Sequence, residues 1–266
     1  MRYRAVISYF GARYVGWQRQ LNGLSVQEVL ERALEKTFGT PTSATASGRT
    51  DAGVHAEGQV VHFDAETSIP VDKIPFAVNT ELPDDVSMLS CEVAEEDFNA
   101  RFNAKRKTYR YSLYLSKHLR PMLEPTHEHI VVPLDLTAIR EAVKVIEGEH
   151  DFKCFEASGS VVKNTVRTVY EIAVDCKPLE KSQADKTGNL TVPFDESKAF
   201  DCTIDISVTG NGFLYNMVRI IAGTLVYVGL HKLTVQDVKN IIETGDRKRA
   251  GKTLSAKGLC LVEVKY

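Results

Sequence analysis

Apolar and polar positions alternate through MRYRAVISYF at residues 1–10, and this period of two predicts an opening β-strand. The period changes at SVQEVLERALEKTF, where Val26, Val29, Leu30, Ala33, Leu34 and Phe38 fall on one face of a helix. Ser25 and Glu28 have capping-box spacing at its start, and Gly39 supplies a stop. Strands are expected at about 42–47 and 57–64, flanking a short loop that carries Asp51. Farther on, PLDLTAIREAVKVIEG places Leu136, Ile139, Val143 and Ile146 in helical register, and strands follow near 165–176 and 200–208. A long helix from about 213, a shorter one at TVQDVKNIIETG and a closing strand, LCLVEVKY, complete the pattern.

This mixed order with hairpin-like connections predicts an α+β fold of two similar halves with mixed, mainly antiparallel sheets, rather than a doubly wound parallel sheet. The halves are expected at 1–115, carrying the Asp51 loop, and 135–266, carrying the long helix. Residues 116–134 would connect them, since SKHLRPMLEPTHEH replaces periodicity with prolines and histidines. The polar stretch KPLEKSQADKTGNLTVPFDESK at 177–198 is expected as an exposed loop or an excursion from the sheet.

Composition narrows the function classes. With 43% apolar and 26% charged residues in 266, the chain can bury a sizeable core and does not resemble a disordered segment. A net charge of −2 excludes a wholly basic polyanion binder, so any such site must be local. The cysteines at 91, 154, 176, 202 and 260 form no CxxC pair, which argues against a disulfide framework or a structural zinc site and for a reducing, cytosolic compartment. The first ten residues lack the features of a signal peptide. The apolar run at 213–230 is interrupted by Asn216 and Arg219, and a charge at mid-membrane costs about 2.5 kcal/mol or more, so a buried helix is expected there.

Three stretches could carry chemistry. In TASGRTDAGVHAEGQVVHFD, Asp51 lies two residues from Arg49 and between Gly48 and Gly53. A turn aspartate bonding its own backbone is the plain reading. The arginine would hold the carboxylate ionised, the glycines permit close backbone approach, and such a carboxylate suits nucleophilic or base work. In RFNAKRKTYRYSLYL, Arg101, Lys105, Arg106, Lys107 and Arg110 are interleaved with Phe102, Tyr109 and Tyr111, which suits phosphates and unpaired bases as well as it suits a solvated edge strand. In GNGFLYNMVRIIAGTL, a helix from Phe213 would set Phe213, Met217 and Ile220 on one face and carry Arg219 among apolar neighbours, where it asks for an anion such as Asp51. His127 and His129 lack a third ligand, and His55 and His62 are expected to pack or hydrogen-bond near the loop. No P-loop, GxGxxG after a strand or GxSxG is present.

In order, GWQRQ at 16–20 with SVQEVLERAL, SGRTDAGVHAEGQVVHF, KTYRYSLY, GNGFLYNMVR and SAKGLCLVEV closely resemble the motifs of the tRNA pseudouridine synthase A family. One departure is Phe10 in YFGARYVGWQ, where family members often carry an aspartate before the glycine. The resemblance implies an isomerase that converts uridine to pseudouridine in tRNA, usually at anticodon stem-loop positions 38 to 40. It implies two similar halves flanking a basic active-site cleft, a homodimer, and no metal or organic cofactor. Asp51 would be the catalytic carboxylate, Arg219 its ionic partner, and Tyr109 would stack on the uracil and act in proton transfer at C5. Arg49 would fill the gap left by the flipped base or grip a phosphate, and Leu259 would pack on the ring. Gly48 and Gly53 would admit the ribose, and His55, Lys107 and Arg110 would complete the substrate contacts, with further phosphate contacts from DRKRAGKT at 246–253. The rivals are a non-catalytic RNA-binding protein or RNA chaperone on the same scaffold, a synthase with another RNA target, and a small-molecule glycosidase or nucleosidase, which lacks a suitably spaced second acid.

Overall fold

The computed structural model describes residues 1–159, 162–179 and 195–266. The fold is α+β, in two compact units: Met1–Thr108 with Cys260–Tyr266, and Tyr109–Leu259. The stretch at 116–134 lies within the second unit, and the last residues of the chain belong to the first.

In the first unit, strand β1 (Arg2–Tyr9) buries every second side chain, as its alternation requires. Helix α1 (Val26–Phe38) has the expected caps: the Ser25 side chain accepts the Glu28 amide, and Gly39 ends the helix in the left-handed region at φ 74°. Val26, Leu30, Ala33 and Leu34 form its buried face. The strand expected at 42–47 shortens to β2 (Thr45–Ala46), because the chain turns into the Asp51 loop once the Ser47 amide has reached the Val60 carbonyl. Strand β3 (His55–Asp64) pairs antiparallel with β1 and β2. Helix α2 (Ile74–Asn79) and strand β4 (Val86–Val93) escaped the pattern reading. The first spans six residues, with proline in its opening turn, and the second loses its alternation beyond Met88. Strand β4 pairs antiparallel with β1.

Strand β5 (Arg106–Leu115) carries the chain into the second unit, where β6 (Glu128–Ile130) pairs parallel with it. Helix α3 (Leu136–Ile146) is capped by Asp135 and buries Leu136, Ile139, Ala142, Val143 and Ile146. Strands β7 (Gly148–Asp151), β8 (Val166–Pro178) and β9 (Cys202–Gly210) follow, and the sheet order in this unit is β5-β9-β8-β7. Of the stretch at 177–198, Pro178 ends β8 and Asp195 caps a short helical turn, while 180–194 lies outside the described residues. Helix α4 (Met217–Gly229) starts at Met217 rather than near 213, because Asn216 sits in the left-handed region at φ 60° and keeps the preceding residues out of the helix. Nearly all of it is buried, and among the described residues no helix is long and apolar enough to cross a membrane. Helix α5 (Val235–Thr244) begins with a Thr234–Asp237 capping box. Strand β10 (Leu259–Lys265) closes the chain, and its Cys260 and Leu261 pair parallel with His55 and Ala56 of β3.

Candidate active site

The Asp51 loop of the first unit is fastened along its length by residues from several segments. The Ser47 hydroxyl donates to Gln59 Oε1 at 2.7 Å, and Gln59 Nε2, fully buried, donates to the Gly48 carbonyl at 2.9 Å. The hydroxyls of Tyr9 and Thr50 lie 2.7 Å apart, and the Thr50 carbonyl accepts the Trp17 amide at 3.0 Å. Gly16 forms a β-bridge with Asp51, and its φ of 108°, with the Thr50 carbonyl oxygen 2.6 Å from where a Cβ would stand, admits no side chain. The Gly53 amide donates to the Tyr14 carbonyl, and the Val54 amide closes a turn onto the Asp51 carbonyl. The result is a half-buried carboxylate on an immobilised backbone, with Arg49 exposed two residues before it. Such preorganisation favours a group that must meet developing charge without rearranging.

His55 is buried and serves this frame, since its Nδ1 accepts the Gly11 amide at 2.9 Å. Phe10, the departure noted in the sequence, stacks on the His55 imidazole with ring centroids 4.7 Å apart. An aromatic ring therefore covers the imidazole.

Lys107 reaches inward. Its ammonium donates to the Ser47 carbonyl at 2.6 Å, and a side chain at Gly48 would crowd it. Burial, with a smaller contribution from the Arg101 charge, pushes the Lys107 ammonium down to about 8. Because this value lies below that of an unfolded lysine, the charge costs stability below about pH 8, and that cost disappears as pH rises towards 10.5. Activity should move the other way, since deprotonation weakens the donor that holds the loop. The expected outcome is an alkaline limb near pH 8 in kcat/KM that Lys107→Arg removes and Lys107→Met replaces by a loss at every pH. A wild-type profile flat to pH 9 would reject this role.

In the second unit, Tyr109 is buried with its ring set edge-to-face against Phe213 at 5.2 Å. Phe213 precedes α4 instead of lying on it, so the expected helical face of Phe213, Met217 and Ile220 is not formed. Arg110 Nε lies 3.9 Å from Asp205 Oδ1, which also accepts the Ser112 hydroxyl at 2.6 Å. Half-buried Arg219 projects from the first turn of α4, with Nε donating to the Leu254 carbonyl at 2.7 Å and Nη1 to Asn216 Oδ1 at 2.5 Å. The left-handed Asn216 that delays the helix is thus also the residue that orients the guanidinium. Leu259, buried, opens β10.

Gly223 lets the segment bearing Leu254 approach α4, because a Cβ there would lie 1.9 Å from the Lys252 carbonyl oxygen. Gly223→Ala gains roughly 1 kcal/mol of helix propensity but forces a backbone displacement costing about 1–3 kcal/mol or more. The clash should prevail, so the variant is expected to melt lower and to lose activity as the Leu254 carbonyl shifts away from Arg219. Thermal unfolding with a turnover assay checks both.

The sequence singled out Asp51, Arg49, Gly48, Gly53, His55 and Lys107, which the fold gathers in and around one loop of the first unit. Tyr109, Arg110, Arg219 and Leu259 all lie in the second unit. Pattern reading missed Tyr9, Gly16, Trp17 and Gln59 as the loop's supports. For Gly16 and Trp17 the available signal was the glycine and single tryptophan of GWQRQ, which an amphipathic pattern does not explain.

A family model described as tRNA pseudouridine synthase matches residues 5–103 and 142–266. The chain belongs to this family of isomerases, which convert uridine to pseudouridine in tRNA. The tRNA pseudouridine synthase A of Ruminiclostridium cellulolyticum is 43% identical over 263 residues, 99% of this chain and 98% of that protein. The proteins of that name from Thermoanaerobacter sp. (strain X514) and Streptococcus equi subsp. equi are 39% and 38% identical, covering 98% and 100% of this chain and 98% of each relative.

Proposed function

We propose that this enzyme isomerises uridine in the anticodon stem-loop of tRNA, at positions 38 to 40, with Asp51 as the catalytic carboxylate. The reaction breaks the bond from C1' to N1, turns the uracil while it is held and joins C5 to C1', with the C5 hydrogen lost to solvent and a proton taken up at N1. Asp51 acts by attack on C1' or by removing the 2' proton, and both routes need an ionised carboxylate near the anomeric carbon. The observation that carries this reading is the seat of Asp51, whose backbone is held by Gly16 and Val54 and whose neighbour Thr50 is held by Trp17 and Tyr9. A turn aspartate with only a backbone role needs no such frame.

In this reading Arg219 keeps Asp51 ionised, Tyr109 stacks on the uracil and acts in proton transfer at C5, and Leu259 packs on the ring. Exposed Arg49 takes the place of the flipped base or grips a phosphate, since extruding a base from a stem costs a few kcal/mol. Gly48 and Gly53 admit the ribose, and Arg110 meets the RNA backbone. Lys107 and His55 act from behind the loop. The enzyme works as a homodimer in the cytosol.

The test is tritium release from tRNA transcripts labelled with [5-³H]uridine, followed by mapping of the modified nucleotides. Release from positions 38 to 40 is the expected result. Release from other positions would move the target elsewhere, and tight, salt-sensitive binding without release would favour a non-catalytic RNA binder.

A further inference from the structure

Phe102 is the most exposed aromatic ring among the described residues, at 78%, yet it stands on a firmly built turn. Asn99 Oδ1 accepts the amides of Arg101 and Phe102 at 3.0 and 3.1 Å, and Asn103 Oδ1 accepts the Asn99 amide at 2.6 Å. The base of the turn is tied down as well. The Ala100 amide donates to His62 Nδ1 at 3.1 Å, the Ala100 carbonyl accepts the Tyr266 hydroxyl at 2.7 Å, and the Lys105 amide reaches the Lys265 carbonyl. Phe98 is the apolar anchor, packed 5.0 Å from the Tyr266 ring. Phe102 contributes nothing of this kind to the fold.

A single exposed phenyl ring is ordinary on a protein surface, and what sets Phe102 apart is its rigid support together with the cations at its border. The Arg101 guanidinium lies 5.7 Å from the Phe102 ring centroid, and Arg101, Lys105 and Arg106 are all exposed. An aromatic face bordered by cations is the chemistry that takes a nucleobase by stacking and its phosphate by charge. Phe76, the other strongly exposed phenyl, lacks this setting, because its neighbour Lys73 is paired with Asp72.

We propose that Phe102 and Arg101 form a stacking platform for an unpaired nucleotide of the RNA substrate, away from the base that reacts. This rests on the reading of the protein as an enzyme of tRNA. Its stacking would be insensitive to which base is present, because every base has a π-face.

The test compares Phe102→Ala, Phe102→Leu and Phe102→Trp by filter binding to unmodified tRNA transcript and by tritium release. Phe102→Ala should raise Kd and KM about tenfold, with the loss falling mainly on KM and not on kcat. Tryptophan should restore binding, and leucine, apolar but without a π-face, should not. The Phe102→Trp fluorescence should also be quenched on adding tRNA. Unchanged melting temperatures would show that the fold is intact, as expected for an exposed side chain. A Kd for Phe102→Ala within twofold of wild type, or full rescue by leucine, would overturn the platform while leaving the catalytic reading untouched. Weaker binding by Phe102→Ala alongside a wild type that releases no tritium would keep the platform and refute the catalytic reading.

Discussion

Asp51→Asn should lower tritium release more than about a thousandfold while leaving tRNA affinity and melting temperature close to wild type, because it removes the charge of the carboxylate proposed to act on the ribose. The substitution preserves shape and removes charge. The loop's backbone is held by other groups, since Gly16, Trp17 and Tyr9 hold the Thr50–Asp51 backbone and Thr50 itself, and Gln59 and Lys107 hold the Ser47–Gly48 end. Loss of activity with an intact fold would therefore report on the chemistry. Comparing single-turnover rates at saturating tRNA with Kd separates the two. If Asp51→Asn kept more than a tenth of the wild-type rate, the carboxylate would not be the reacting group. A parallel loss of rate and of melting temperature would assign Asp51 to the frame.

Much of the fold was legible because one side of most elements faces a core. The apolar registers of α1 and α3 gave their extents to within a few residues, and the Ser25 and Gly39 caps gave the ends of α1. The failures have physical causes. Helix α2 has too few residues for a 3.6-residue period to show, and the outer part of β4 is too exposed to alternate. The start of α4 was misplaced because apolar content continues upstream through Phe213 and Leu214, and only the backbone of Asn216 reveals the break. The residues proposed for the chemistry stand out in local motifs, as Asp51 in its loop and Arg219 in its helix. Their supports were not. Gln59 reads as one polar residue in a strand, and Tyr9 as the apolar end of another, until folding brings both against the loop from 8 and 42 residues away in sequence. The inward turn of Lys107 was likewise hidden, since a lysine among basic neighbours reads as a phosphate ligand until its burial is known.

Arg219→Lys should lower kcat at saturating tRNA by roughly a hundredfold, despite keeping the charge, which is comparable to removing one preorganised donor from a reacting centre. The guanidinium is held in one orientation by two acceptors at different angles, Leu254 O on Nε and Asn216 Oδ1 on Nη1. A lysine ammonium is a single point on a flexible stem and cannot satisfy both while presenting a planar donor edge. Arg219→Gln separates the arginine's charge from its geometry. If Arg219 keeps Asp51 ionised, removing its charge raises the carboxylate's pKa, and the acid limb of the kcat/KM profile should move to higher pH. Arg219→Lys should lose rate with a much smaller shift of that limb. If both variants were slow and neither moved the limb, Arg219 would serve to hold the Leu254 segment in place, and the ionic partner of Asp51 would have to be sought elsewhere. Gly223→Ala provides the matching structural comparison, because it displaces the same segment with the arginine present. A profile that loses rate without shifting in Gly223→Ala, beside one that shifts in Arg219→Gln, would assign the electrostatic role to the guanidinium itself.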